Sequence, residues 1–590
     1  MKKTFLLSCL MLAAMPVMAA YTGHVYVDKN KNGVFDQSEK PLAGIKVSDG
    51  LNVVETAADG SFTLPGHERE RFIFITTPSG YKTFNRHYHK IEKKQSGYDF
   101  GLIPYSGRIR KDGSHRYIHI TDTEIFNTEN HADWVNNVHD YARNEQAAFI
   151  IHTGDICYEK GLKAHIKLMN TENMDCPVFY CIGNHDLVKG KYGEELFESI
   201  YGPVYYSFDA GNVHYIVTPM PGGDHAPGYT ADDVCRWLKN DLAHIRPGTP
   251  VVVFNHDLLT YEDTFIFKSK NAGSINLNEY NLKAWVYGHW HINYMKKQGD
   301  VYSVCTSSLD KGGIDHSTTA FRVMHVDSKG DFTSELRYTY LDKNICIASP
   351  AGVMASGVLP VAVNVYSSVS PVREVLYTCL ADGKPVLKNK RLLQSTDWSW
   401  NGELPLSHKY VGKELTLRVT ARFNNGEIAE AESNFICRTE KTVPLFSADW
   451  DNLSGNAKHS APVSAPLNLP LQLAWTNNVG ANLYMTSPLI HKGKVIVASV
   501  DEDMKGAGHV YALNGKDGTI LWSCPVRNSI KNSIAVDSDI VFAQDAQGFL
   551  YAIDTETGKL CWEKQLPVNG LPALIDGLVA GEGVVYAGTG

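Results

Sequence analysis

Basic residues are not in excess in this 590-residue chain: 56 Lys and Arg stand against 64 Asp and Glu, a net charge of −8, with a pI near 6.3. Such a chain lacks a broad attraction for phosphate backbones, so nucleic acid is not an expected partner. Long apolar runs are missing beyond residue 20, so no transmembrane segment is expected. The eleven cysteines include no CxxC pair, which removes a zinc knot. One hydrophobic core does not serve 590 residues, so the chain is expected to be multidomain.

What is present begins with Met1-Lys2-Lys3, an apolar stretch from Thr4 to Ala14, and small residues up to Ala20. Residues 1–20 read as a signal peptide cut between Ala19 and Tyr21, and the protein as exported, periplasmic or secreted. A lipoprotein box at Leu7-Ser8-Cys9 falls too early in the apolar run. Export permits disulfides among the ten remaining cysteines. Several of them lie inside strand patterns, where a thiol packs as a small hydrophobe.

Short alternating strands with Gly, Asp and Pro punctuation predict a β-sandwich over 21–104. Inside it, Asp28, Asn30, Asn32, Val34, Asp36 and Glu39 occupy the ligand positions of a twelve-residue calcium loop, with Gly33 at the turn. The helices that normally flank such a loop are missing. Structural calcium is expected here, with a solvated Asx-rich hairpin as the alternative. From 114 to 340, apolar strands alternate with helical patterns, predicting a layered α/β core. Trp134, Val135, Val138 and Tyr141 fall at helical spacing, and Thr230 with Asp233 makes a capping box. A second β-sandwich is expected over 350–440. Over 465–590, Gly508, Tyr511, Ala512, Gly518 and Trp522 return at an offset of 40, the period of β-propeller blades, and Trp475 closes an earlier partial unit. Only two or three such units fit before Gly590, so the propeller is expected to be incomplete and its partner is unknown.

Five polar clusters each follow an apolar strand in the α/β region. They are Asp122/Glu124, Asp155, Asn184 with His185, His256, and His289/His291. Strand ends of an open α/β sheet are where sites are built. Carboxylate, amide and imidazole together suit hard or borderline divalent cations. Seven ligands exceed one tetrahedral ion and suit two ions sharing a carboxylate.

In this order the clusters resemble the calcineurin-like metallophosphoesterases, whose pattern is D-x-H, G-D, G-N-H-[DE], H, G-H-x-H. The resemblance implies Asp122, Asp155 and His291 on one metal, with Asp155 bridging, and Asn184, His256 and His289 on the other. His185 is then the imidazole near the leaving group, and Asp186 either orients it or caps a turn. The implied activity is hydrolysis of phosphate mono- or diesters by a metal-bridging hydroxide, with Mn, Fe, Mg or Zn as the metal. Glu124 departs from the family's histidine; it adds negative charge and disfavours zinc. The segment 21–104 resembles B-type repeats and carboxypeptidase-regulatory-like sandwiches, through Pro41-Leu42-Ala43-Gly44-Ile45 and Ala58-Asp59-Gly60-Ser61-Phe62. The tail resembles pyrroloquinoline-quinone-type repeats. A catalytically inactive scaffold, recognising partners through its β-modules, is the alternative from another class.

Overall fold

The computed structural model describes residues 20–439, 448–460, 473–484, 486–567, 571–572 and 576–589. The expected signal peptide, apart from Ala20, lies outside the described residues. No helix among the described residues is long and apolar enough to cross a membrane.

Residues 21–104 form two small sheets. In one, Tyr21–Val27 is bordered by Lys40–Pro41, Ser61–Leu64 and Phe100–Pro104; the other orders Val53–Glu55, Lys46–Ser48, Phe72–Ile75 and Tyr88–Lys90. Alternation along these strands buries Val25, Val47, Leu64, Ile73, Ile75 and Leu102 between them. Arg71 fastens this module to the next by ion pairs to Glu194 (2.9 Å) and Glu198 (3.1 Å).

The α/β region is built from β1 (His115–Ile120), α1 (Ala132–Asn144), β2 (Phe149–His152), α2 (Tyr158–Leu168), β3 (Val178–Tyr180), α3 (Glu195–Tyr201), β4 (Tyr206–Ala210), β5 (Val213–Val217), α4 (Ala231–Ala243), β6 (Val251–Phe254), β7 (Leu282–Tyr287), β8 (Tyr294–Gln298), β9 (Val301–Cys305), β10 (Ala320–Val326) and β11 (Phe332–Tyr338). One sheet has the order β3-β2-β1-β10-β11, the other β4-β5-β6-β7-β9-β8. The pairs β1/β2, β2/β3, β5/β6, β6/β7 and β7/β9 are parallel.

Strand parity decides what each face buries. Tyr117, Phe149 and Phe179 turn toward Phe208, Tyr215 and Phe254 of the other sheet, and Phe179 stacks on Phe208 at 3.7 Å. Their neighbours Ile118, Ile120 and Ile150 turn the other way, onto Trp134, Val138 and Tyr141 of α1 and Leu162 of α2. The spacing of those α1 residues is thus the apolar stripe of a helix lying on a sheet. α4 starts at the expected capping box: the Thr230 hydroxyl accepts from the Asp233 amide, and the Asp233 carboxylate accepts from the Thr230 amide.

Residues 344–438 form a four-stranded and a five-stranded sheet around Val363, Val365, Leu417 and Val419. Beyond them stand two antiparallel four-stranded units, over 489–525 and 535–565, and a hairpin over 579–586. The units are joined in the way the repeat predicts. Trp475 Nε1 donates to the Gly515 carbonyl at 2.9 Å and Trp522 Nε1 to the Thr555 carbonyl at 3.0 Å, the two acceptors standing forty residues apart. The ten described cysteines are unpaired and only Cys346 and Cys561 are exposed.

Candidate metal centre

All five polar clusters stand at carboxyl ends of parallel strands: β1, β2 and β3 of one sheet, β6 and β7 of the other. The loops hold one another through the backbone. The Asp122 amide donates to the Gly154 carbonyl (3.0 Å), the Glu124 amide to the Asp155 carbonyl (3.2 Å), and the Gly288 amide to the His256 carbonyl (3.0 Å). Two motif glycines are required by close approach. A Cβ on Gly183 would lie 2.2 Å from Asp155 Oδ1, and one on Gly288 would lie 1.9 Å from Thr121 Oγ1.

The side chains converge. Single ligand atoms of Asp155, His256 and His289 lie within 4.8 Å of one another, and so do those of Glu124, Asp155 and Cys157. His256 Nε2 is 3.1 Å from Asp155 and 3.9 Å from Asp122. His291 Nε2 is 3.3 Å from Asp122 and 3.6 Å from Glu124. The groups are placed at a backbone cost: Asp122, Glu124, Asp155, His289 and His291 all have φ between 44° and 64°. Side chains other than Gly pay for that conformation, and it persists only where the surroundings over-determine it.

The charges are mutually dependent. Burial raises the Asp155 carboxyl, but His256 outweighs it and holds Asp155 below its usual range. Burial likewise lowers His256, and Asp155 with Asp122 overcome it, so His256 is held up as imidazolium. Its Nδ1 is anchored 2.7 Å from the Thr153 carbonyl. His291 is raised by its hydrogen bond to Asp122, and His289 is lowered by burial and by His256.

The donor set fits divalent cations on an observation independent of motif. Asn184 Oδ1 is a buried polar atom without a hydrogen-bond partner. Native interiors rarely leave such an atom orphaned, and the next residue, His185, has its amide on Asp155. Cys157 belongs to the group by position, but burial pushes its thiol well up, which suits packing rather than ligation.

Other neighbours were not legible beforehand. His185 Nδ1 is 2.9 Å from Asp224 Oδ2, and the His185 amide donates to Asp155 at 3.0 Å. Asp186 does not touch the His185 ring. It accepts from the amides of Cys157 (2.8 Å) and Gly183 (2.9 Å), tying together the loops that carry Asp155 and Asn184. Of its two expected roles, turn capping is the one observed. Lys311 Nζ lies 2.9 Å from Glu124, so the departing residue shares its charge with a lysine. Exposed rings border the cluster: Phe126 stacks on Tyr158, whose ring lies 5.4 Å from that of His185, and Tyr261 stacks on Trp290.

The residues of the candidate calcium loop lie together between the strands Tyr21–Val27 and Lys40–Pro41 of the N-terminal module. Asp28 accepts from the Gly33 amide (2.9 Å), Glu39 from the amides of Lys29 (2.9 Å) and Asp36 (3.2 Å), and Asp36 from the side-chain amides of Asn30 and Asn32. Val34 is exposed.

Comparison with known proteins matches residues 115–293 to the model for calcineurin-like phosphoesterase, and residues 29–104 to that for its N-terminal domain. Residues 472–590 match the model for outer membrane protein assembly factor BamB. No curated protein matches. Among solved structures, a quinohemoprotein alcohol dehydrogenase from Pseudomonas putida HK5 is 20% identical over 24% of this chain and 23% of its own, with a TM-score of 0.20. A predicted phosphoesterase from Streptococcus pneumoniae TIGR4 is 12% identical over 38% and 98%, with a TM-score of 0.19. BamB from Moraxella catarrhalis is 13% identical over 45% and 73%, with a TM-score of 0.15. The chain thus spans under a quarter of the first of these structures, and overlaps this slight carry no functional weight. Calcineurin-like phosphoesterases use divalent metals, in keeping with the donor set described above. The chain carries a calcineurin-like phosphoesterase domain, preceded by that family's N-terminal domain and followed by BamB-type repeats.

Proposed function

We propose that this is an exported phosphoesterase that hydrolyses phosphate mono- or diesters at a dinuclear centre. The observation that carries the reading is the convergence of Asp155, His256 and His289 within 4.8 Å, with the buried, unpartnered Oδ1 of Asn184 on a loop that is hydrogen-bonded to Asp155. Asp122, Asp155 and His291, with Glu124, would hold one ion; Asn184, His256 and His289 the other, with Asp155 shared. A pair of divalent ions supplies Lewis acidity, lowering the pKa of a water and neutralising phosphoryl oxygens. Mn, Fe or Mg suits the carboxylate-rich side that Glu124 creates better than Zn does.

His185 is the group available to move a proton. Burial lowers its pKa, but Asp224 and Asp155 more than compensate, so the imidazolium persists above its usual range. It is therefore suited to protonate a leaving alkoxide near neutral pH. Asp224 holds the ring from Nδ1, leaving Nε2 for the substrate. The exposed rings of Phe126, Tyr158 and Tyr261 give the organic part of the ester a surface on which to lie. In the same reading the hairpin from Asp28 to Glu39 takes a structural calcium ion.

The test is turnover of p-nitrophenyl phosphate and its bis-ester with added manganese, for wild type and Asp155→Asn. Activity in the first and its loss in the second are expected. The pairing of Glu124 with Lys311 is the one feature that favours the inactive scaffold. Absence of turnover with any divalent metal would select that reading.

A further inference from the structure

Lysine is almost never fully buried unless it is paired. Lys531, in the segment that joins the two four-stranded C-terminal units, is 3% exposed. Its Nζ lies 2.5 Å from Asp315 Oδ2, 2.7 Å from Glu502 Oε1, 3.2 Å from Ser317 Oγ and 2.9 Å from the carbonyl of Asn293. Glu502 comes from the C-terminal module and is satisfied further by Tyr484 Oη at 2.7 Å. Asp315, Ser317 and Asn293 belong to the phosphoesterase domain. One ammonium therefore gathers acceptors from both modules.

The phosphoesterase residues it gathers are those that shape the turn of His291. Asn293 follows His291 by two residues, and its amide faces Ser317 Oγ at 3.4 Å. The Ile314 amide, next to Asp315, donates to the His291 carbonyl at 2.9 Å. His291 has a φ of 50°, a conformation that a histidine keeps only under external constraint. Two segments supply that constraint, 292–293 and 313–317, and Lys531 binds both. The interface has a second bridge, Arg322 to Asp503 at 2.6 Å, and none of the contacts made by Asp503 reaches residues 291–293.

We propose that Lys531 is a positioning residue, through which the C-terminal repeat module holds His291 in the geometry that binds metal. This rests on the phosphoesterase reading and adds to it that the repeats are a working part of the centre, not an appended scaffold. The metal affinity of the full chain should then depend on a residue outside the catalytic domain. Removing Lys531 alone would strand two buried carboxylates, so the informative variant neutralises the cluster together: Lys531→Met with Asp315→Asn and Glu502→Gln.

The experiment is calorimetric titration of the full chain with manganese, which needs no turnover. The triple variant should bind about tenfold more weakly or worse, the usual scale for losing support behind a ligand. Asp503→Asn loosens the same interface elsewhere and should stay within about twofold of wild type while lowering the unfolding midpoint. Equal affinity for the triple variant and wild type would overturn the proposal, as would an equal loss in Asp503→Asn. Should the triple variant not fold, Ser317→Ala replaces it, with an expected weakening of about threefold; unchanged binding there overturns it too. A wild-type chain that binds no manganese would sink the phosphoesterase reading itself, an outcome distinct from the others.

Discussion

Asp186 allows the strain at the centre to be tested quantitatively. Its side chain is fully buried and accepts two amides, one from each of the loops that carry Asp155 and Asn184. Replacing it by Ala leaves both N–H groups without an acceptor and out of reach of water. A hydrogen bond to a charged group contributes about 1.5–3 kcal/mol, so two would contribute roughly 3–6 kcal/mol. Burial and the like charge of Asp155 push the Asp186 carboxyl up to about 7, so it is only partly ionised at neutral pH. The expected loss is therefore about 2–4 kcal/mol, a large part of an ordinary domain's margin of roughly 5–15 kcal/mol. Denaturant unfolding of Asp186→Ala beside wild type measures it, at unchanged m-value. Because both loops carry proposed ligands, manganese affinity should fall by about tenfold or more alongside. A loss under about 1 kcal/mol with unaltered metal affinity would refute this role.

Other outcomes follow from single contacts. Asp224→Asn removes the carboxylate beside His185 and lowers its pKa; since the acid form is the working one, the alkaline limb of the kcat profile should move down, by roughly half a pH unit for a part-exposed pair. Lys311→Met frees Glu124 and should tighten manganese binding by about two- to fivefold, the scale of a half-exposed ion pair; no change in calorimetry would show that Glu124 is not a ligand. Glu335 is raised by burial but held down to about 2 by His325 and Arg337. A depressed carboxylate contributes stability that is present above its unfolded value and lost as pH falls through the folded one, so the contribution should disappear between about pH 4.5 and 2. Glu335→Gln should therefore cost about 3 kcal/mol at pH 7 and little at about pH 2, as read by denaturant titration at both.

The five strand-end clusters were readable because each stood at the end of an apolar run, where chain direction brings polar groups to one edge of a sheet. The α1 stripe and the Thr230 capping box were readable because their signals are local. Asp224 was not, since it lies in a Gly-rich loop without period and meets His185 across 39 residues. Lys311 and Lys531 looked like ordinary solvated lysines: the contacts that bury Lys531 are 29 to 238 residues away, and no local pattern encodes them. The left-handed backbone of Asp122, Asp155, His289 and His291 left no mark either, because only glycine announces that conformation in a sequence. The Asp28–Glu39 loop was readable because its oxygen-bearing residues alternate within one short segment around Gly33.

The most direct test of the central claim is the anomalous scattering of crystals of the full chain grown with manganese. Two peaks about 3.5 Å apart are expected, one beside Asp122 and His291, the other beside His256 and His289, with Asp155 between them. A map with no peak among these residues would contradict it.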